Sequence, residues 1–273
     1  MRYCEYPPSP RFRHSIRCYW TLEDPVGTDG MEPVLPDGCM ELVVHRGAPF
    51  RRKSDAGFIQ QPPAFFVGQI LSPLLLQPAG PIDVFGVRFT PPGFTRATGR
   101  PAGDMRGMFV GPSDLLGPAG TRCEDKILHA STLQEMIDAV ESTLSPGESS
   151  PLVARAEQSI RDAGGLVPVT HIARELGASL RHLERSFLEQ VGLTPKQYSR
   201  IIRFQNLFSC MESHRNHPWT STAHELGYAD QAHFVREFAR FSGKSPTAFF
   251  REPHELSDHF TSHGRMSHLF KTF

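Results

Sequence analysis

One short pattern occurs twice in this chain, and that repetition limits its fold more than any bulk property does. Ala173-Arg-Glu-Leu-Gly177 returns as Ala223-His-Glu-Leu-Gly227, 50 residues later. Downstream, Arg185-Ser-Phe187 returns as Arg236-Glu-Phe238, and Gly192-Leu-Thr-Pro195 as Gly243-Lys-Ser-Pro246. The downstream matches stand one residue further apart, and matched glycines, apolar anchors and basic positions in the same order mark a duplicated structural unit. Within the second copy, Thr220 to Leu226 reads as a short helix, and Gly227 can take the positive φ of a tight stop. Asp230 then suits an N-cap, and Gln231 to about Phe241 is predicted as the next helix. Phe234, Phe238 and Phe241 fall at i, i+4 and i+7, an apolar stripe that must be buried. Ala232, His233, Arg236 and Arg240 lie opposite. In the first copy Leu183 and Phe187 form the inner stripe, while Arg181, His182 and Arg185 look outward. Short helix, glycine turn, then a helix with an apolar inner face and a basic outer one is a helix-turn-helix pattern.

With both copies in view, residues 151–252 resemble the double helix-turn-helix domain of AraC/XylS-type transcription regulators. The segment GYADQAHFVREF with SGKSP after it matches that family's most recognisable stretch nearly position for position. The resemblance implies double-stranded DNA as partner, entered through the major groove, where arginine's planar fork meets guanine O6 and N7. On the first recognition helix it implies base contacts from Arg181, Glu184 and Arg185. On the second the matching positions are Gln231, Ala232 and Arg236. Ala232 departs from the family's frequent polar choice and can offer only a methyl contact. Arg240, His233 and Thr170 are expected on the DNA backbone. The plainer reading of each arginine is a solvated charge beside Glu184, Glu189 or Glu237. The family habit also implies RNA polymerase as a partner, activation as the output, an unknown small-molecule effector and self-association as a homodimer.

Charge alone would not suggest DNA, because 29 basic and 29 acidic residues cancel. Dividing the chain separates them slightly: residues 151–252 carry 13 Lys and Arg against 10 Asp and Glu, the remainder 16 against 19. The placement of arginines on two helix faces therefore says more than their number. Met1 to His14 lacks the apolar stretch of a secretory leader, and Pro63 to Ile82 is too broken by proline, glycine and glutamine to span a membrane. Cysteines 4, 18, 39, 123 and 210 are scattered, with no CxxC pair, as suits buried thiols in a reducing cytoplasm. A cytoplasmic protein with no membrane contact is expected.

Residues 1–120 hold 17 of the 24 prolines and 15 of the 23 glycines, a density that short strands and turns tolerate and helices do not. Predicted strands are 16–22, 40–45, 64–69, 74–77 and 82–89. In the last, Val84, Gly86 and Arg88 alternate with Phe85, Val87 and Phe89. The expected class is thus α+β: a β-rich N-terminal domain, a small barrel or sandwich of cupin-like kind, ahead of the all-α DNA-binding domain. The order YW, LPDGCMELVVH (35–45), VGQ (67–69) and GVRFTPPG (86–93) resembles an N-terminal domain of unknown function often found before such DNA-binding domains. It brings no ligand with it.

Leu133, Met136, Ile137, Val140 and Leu144 predict an amphipathic helix whose apolar stripe packs on its own domain or, alternatively, makes a dimer contact. The expected organisation is a sensor domain over 1–144, a linker over 145–151 (Ser-Pro-Gly-Glu-Ser-Ser-Pro), the DNA-binding domain over 152–252 and a tail over 253–273. A helix opened by Pro151 runs to Ala163. Residues 195–212 are apolar around most of the circumference, so this helix is expected between the two repeats, fixing their separation. Arg200 and Arg203 on it are either phosphate contacts or salt-bridge partners. In the tail, His259 and His263 have the i, i+4 spacing of a metal pair, but with no further ligand a solvated extension is expected, and no metal or cofactor.

The competing class is an enzyme or alkyl acceptor in the N-terminal half, targeted by the helix-turn-helix pair. Cys39, His45 and Asp37 supply the residue types of a nucleophile, base and orienting acid. A strand between them would hold Cys39 and His45 about 20 Å apart, and an alkyl acceptor of the family's repair type needs clustered cysteines. No catalytic residue is assigned. A pure protein-interaction module is the third class.

Overall fold

The computed structural model describes residues 1–27, 30–148, 150–213 and 219–251. Among the described residues of the first 110 there are ten strands: β1 Arg2–Tyr6, β2 Ile16–Asp24, β3 Glu32–Val34, β4 Glu41–His45, β5 Arg51–Ser54, β6 Gly57–Gln60, β7 Ala64–Val67, β8 Leu74–Gln77, β9 Ile82–Phe89 and β10 Phe109–Val110. They form a six-stranded sheet in the order β1-β2-β9-β4-β7-β10 and a four-stranded sheet in the order β3-β8-β5-β6. Every pairing is antiparallel.

The alternation along β9 shows why the larger sheet is covered twice. Phe85, Val87 and Phe89 join Tyr19, Leu42, Val44 and Phe66 in one core. That core is closed by α1 Gly93–Thr98, α3 Pro118–His129 and α4 Leu133–Thr143, with the short α2 Pro112–Leu116 at its rim. Val84, on the opposite face, joins Trp20, Leu22, Val43, Phe65 and Leu76 in a second core between the two sheets. Gly86 belongs to that face, and a Cβ there would stand 1.9 Å from the Trp20 ring, so only glycine lets the indole lie flat on β9. The apolar stripe of α4 is spent inside its own half: Met136, Ala139 and Val140 are buried in the first core. A Thr132–Glu135 capping box starts this helix.

The helical half runs α5 Pro151–Asp162, α6 Val169–Glu175, α7 Leu180–Val191, α8 Pro195–Ser213, α9 Trp219–Glu225, α10 Gln231–Ser242 and α11 Pro246–Phe249. Helix α8 is its axis. Tyr198 meets Phe187 of α7 with ring centroids 5.6 Å apart, and Phe204 meets Phe238 and Phe241 of α10 at 5.5 and 5.1 Å. One face of α8 thus packs on the first repeat and another on the second, as its all-round apolar character requires. Tyr198 is fully buried, and its hydroxyl donates to Glu157 at 2.6 Å while Arg161 donates to the hydroxyl.

The strands over 2–6, 32–34, 51–54, 57–60 and 109–110 had no clear signal in the sequence. β6 is exposed throughout and β5 alternates between exposed and half-buried, so neither needs the apolar alternation that marks a strand. The stretch predicted as strand 64–69 ends at Val67; Gly68 and Gln69 leave the sheet, and Gln69 is used elsewhere. Histidines 259 and 263, and the whole tail, lie outside the described residues.

Between the two sheets lies a cavity of about 70 Å³. Glu41, Val43 and His45 line it from one face of β4, Arg88 from β9, and Leu74 and Leu76 from β8. His45 is 3% exposed, bonded through Nε2 to Gln61 at 3.1 Å, and burial lowers its pKa from 6.5 to about 4. The folded imidazole therefore stays neutral where the unfolded one takes up a proton. Stability held above pH 6.5 is lost as pH falls toward 4, by on the order of 3 kcal/mol. Denaturant titrations at pH 7 and pH 4.5 should show this loss in the wild type and a markedly smaller one in His45→Leu; equal losses would contradict it.

Candidate nucleic-acid interface

Each repeat is assembled by the same local chemistry. Helix α6 ends at Glu175, and Gly177 turns the chain at φ 65°; α9 ends at Glu225, and Gly227 does so at φ 67°. These are left-handed positions that a Cβ would strain. The following helix is then started by a side-chain cap: Ser179 accepts from the amide of His182 at 3.2 Å, and Asp230 from that of His233 at 2.6 Å. Such caps satisfy backbone donors that have no partner in the first turn. Gly192 and Gly243, both at φ 79°, close α7 and α10.

The inner faces bury Leu183, Phe187 and Val191 in α7, and Phe234, Phe238 and Phe241 in α10. That burial forces the remaining side chains outward. Arg181, Glu184 and Arg185 on α7 are exposed, as are Gln231, Ala232, Arg236 and Arg240 on α10 and Thr170 at the start of α6. Among the described residues, none of Arg181, Arg185, Arg236 and Arg240 has a carboxylate within ion-pair distance. The two outer faces therefore present guanidinium groups that are not committed within the molecule.

Two residues differ in detail from their sequence reading. Glu237, read as a neighbour able to neutralise an outward arginine, is 5% exposed and belongs to the inner side of α10. Position 237 lies three residues after Phe234, on the edge of the apolar stripe, and Arg200 of α8 meets it there with Nε 2.9 Å from Oε2. Arg200 is thus a structural salt-bridge partner, also lying over the Phe241 ring at 5.7 Å. Arg203 donates to the Gly227 carbonyl at 3.3 Å and lies over Tyr228 at 5.3 Å, bracing the second turn. His233 is only half-buried: its ring packs edge-on against Tyr228 at 5.4 Å, and its Nε2 is 3.7 Å from Glu237.

A set of contacts invisible in the sequence ties α7 to the N-terminal half. The last carbonyls of a helix have no partner within it. Those of Gln190 and Val191 accept from Thr95 at 3.1 Å and from Gln69 at 2.9 Å. The Gln69 amide also donates to the Gly38 carbonyl at 3.0 Å, and Gln205 of α8 donates to that of Pro36 at 2.6 Å. Gly38 has φ 78°, and a Cβ there would stand 2.7 Å from the Tyr198 ring. Leu35 is buried with the core of the helical half. The PDG turn at 36–38 and the VGQ segment at 67–69 are the seam between the two halves.

Cys39 adjoins this seam and is buried. Its amide donates to Asp37 at 2.8 Å, it is 6% exposed, and burial pushes its thiol up to about 12. A thiol in that state is not a nucleophile near neutral pH. Among the described residues no group of three or more His, Cys, Asp or Glu is placed to hold a metal ion, and no helix is long and apolar enough to cross a membrane.

Residues 172–252 match a family model described as a helix-turn-helix domain, and residues 4–110 match one described as a domain of unknown function, DUF6597. Among solved structures, the C-terminal domain of AraT, a response regulator from Geobacillus stearothermophilus, is 26% identical, covering 43% of this chain and 99% of its own, with a TM-score of 0.36. ToxT from Vibrio cholerae is 12% identical, covering 85% of this chain and 97% of its own, with a TM-score of 0.44. The AraC-like transcriptional activator CuxR is 16% identical, covering 71% of this chain and 73% of its own, with a TM-score of 0.24. TM-scores this low leave all three as likenesses only. No curated protein matches the chain. The chain thus carries a match to a helix-turn-helix domain over residues 172–252 behind a match to the DUF6597 domain over residues 4–110.

Proposed function

We propose that this DNA-binding transcription regulator reads its operator with two helices, α7 and α10, each in its own stretch of major groove. The observation that carries this reading is the pair of capped helices whose exposed arginines have no acidic partner among the described residues. Arg181, Glu184 and Arg185 would touch bases from α7, and Gln231, Ala232 and Arg236 from α10. Arg240, Thr170 and His233 would meet phosphates, His233 through the imidazole edge that Tyr228 and Glu237 leave exposed. Helix α8, gripped by Phe187 on one side and Phe238 on the other, keeps the two readers at a constant separation.

The N-terminal half, taken as residues 1–144 and joined through 145–151 to 152–252, acts as the sensor. Its cavity supports this role because Leu35, Asp37 and Cys39 line the cavity and flank the PDG turn that packs on Tyr198 and Gln205. A molecule entering between the sheets would press on that turn and, through Gln69 and Thr95, on the C-terminal end of α7. The buried, unreactive Cys39 supports a binding role over a catalytic one. Cytoplasmic residence, contact with RNA polymerase, activation as the output and a homodimeric state follow the family resemblance.

Phosphate neutralisation releases counterions, so operator affinity should fall with salt at a log–log slope of about −0.9 per phosphate contact. A slope near zero would end the groove-binding reading. Arg185→Ala and Arg236→Ala should each cost about 1–3 kcal/mol and relax selection at separate base clusters, about 10 base pairs apart. Their costs should add within about 0.5 kcal/mol in the double mutant, because the two side chains share no partner. Binding-site selection checks this: relaxation of the same base pair by both variants contradicts two independent readers. For the sensor, Val43→Phe fills the cavity as a ligand would and should shift operator affinity by about threefold or more; an unchanged affinity in a folded variant counts against cavity-to-DNA coupling.

A further inference from the structure

The glycines that close α7 and α10 both abut the N-terminal half, and on one short stretch of chain. A Cβ on Gly192, at the end of α7, would stand 2.8 Å from the Ala102 carbonyl oxygen and 3.1 Å from Cγ of Gln69. One on Gly243, at the end of α10, would stand 3.2 Å from Cγ of Pro73. Leu71, between Gln69 and Pro73, packs against the core of the helical half. The segment 69–73 therefore runs from the C-terminal end of α7 to that of α10.

Beside that segment lies an open groove of about 350 Å³, whose lining includes Arg52, Gln69, Ser72, Pro73, Arg106 and Phe109. Its walls carry two guanidinium groups and no acidic side chain. Arg52 of β5 lies over the Phe109 ring at 4.9 Å, a contact that holds its charge at the groove. Arg106 is exposed and directly follows the single helical turn Ala102–Met105. Among the described residues, neither arginine has a carboxylate within ion-pair distance. Asp104, two positions before Arg106, and Glu189, across the contact with α7, are exposed and pair with neither.

The turn that carries Arg106 also borders the outer face of α7. Leu188 lies three residues after Arg185 and seven after Arg181, so the three share one face of that helix. A Cβ on Gly103 would stand 3.0 Å from the Leu188 carbonyl oxygen. DNA lying along the outer faces of α7 and α10 carries, between its two stretches of major groove, the backbone that flanks the intervening minor groove. The two arginines stand between the ends of those helices, where that backbone passes.

We propose that the N-terminal half binds DNA directly, with Arg52 and Arg106 on phosphates between the stretches of groove read by α7 and α10. This rests on the reading of α7 and α10 as a pair of groove readers and extends the DNA interface to the other half of the chain. A DNA backbone suits the groove better than a free anion does. The groove is open and Arg106 is exposed, so a free ion there stays largely hydrated, whereas a backbone already held by two helices arrives at high effective concentration. Such contacts position the duplex without selecting bases.

The test uses the full chain and its selected operator. Arg106→Ala and Arg52→Ala should each make the log–log salt slope less steep by about 0.9 and weaken binding about fivefold at about 0.15 M salt, with the selected sequence unchanged. Arg106→Lys, which keeps the charge, should retain most of the slope. Arg122→Ala removes the same charge from an exposed site on α3, across the larger sheet, and should leave the slope at its wild-type value. Slopes unchanged in both alanine variants, with a steep one in the wild type, overturn the proposal and leave the two-helix reading standing; a wild-type slope near zero removes both. Inorganic phosphate titrated into the free chain and followed by phosphorus NMR is the second arm. Sub-millimolar phosphate binding that is lost in Arg106→Ala, beside an unchanged operator slope, marks a small-anion site and also overturns the proposal.

Discussion

Everything in the helical half depends on one helix being apolar around most of its circumference. Along Tyr198, Ile201, Ile202, Phe204, Leu207 and Phe208, α8 is buried almost all round. It can be satisfied only by being surrounded, and what surrounds it is the inner stripe of each helix-turn-helix unit, α5, and the PDG turn of the N-terminal half. The separation of α7 and α10 is thereby a packing quantity. Close-packed interiors resist continuous deformation, so α7 and α10 are carried as a pair.

The same crowding makes the N-terminal half part of the DNA-binding unit. Gln69 is buried at 1% exposure, with both amide hydrogens engaged, one on Gly38 and one on the last turn of α7. A helix end whose carbonyls are satisfied by another part of the chain is held by that part. The larger sheet is packed on both faces, against helices on one side and the second sheet on the other. Strain applied in the cavity between the sheets therefore has a short route, through the segments at 35–39 and 67–71, to the base of α7. Arg88, Asp37 and Glu41 are the polar wall of the cavity and lie next to the seam.

Legibility along the chain followed the kind of force involved. The duplicated pattern was read from glycines, caps and apolar spacing because those are local: a left-handed turn needs glycine and a first helical turn needs an acceptor wherever it lies. The alternation of β9, the amphipathic α4 and the all-round apolar α8 were likewise plain. The edge strand β6 was not, since it is exposed throughout, nor was its neighbour β5, which alternates only between exposed and half-buried polar residues. Glu237 was misassigned because its distance along the helix from Phe234 matters less than what α8 presents there, namely Arg200.

The sequence alone determined the two helix-turn-helix units, the arginines on their outer faces and a β-rich partner domain, because spacing along a helix or strand already dictates which side chains share a face. The tertiary structure decided which of the candidate charges are spent internally, how Gln69 and Thr95 cap α7, and that Glu41, Arg88 and His45 converge on one cavity. These are contacts between residues tens to more than a hundred positions apart, and their pairing is set by the packing of sheets and helices against one another, which no local spacing encodes.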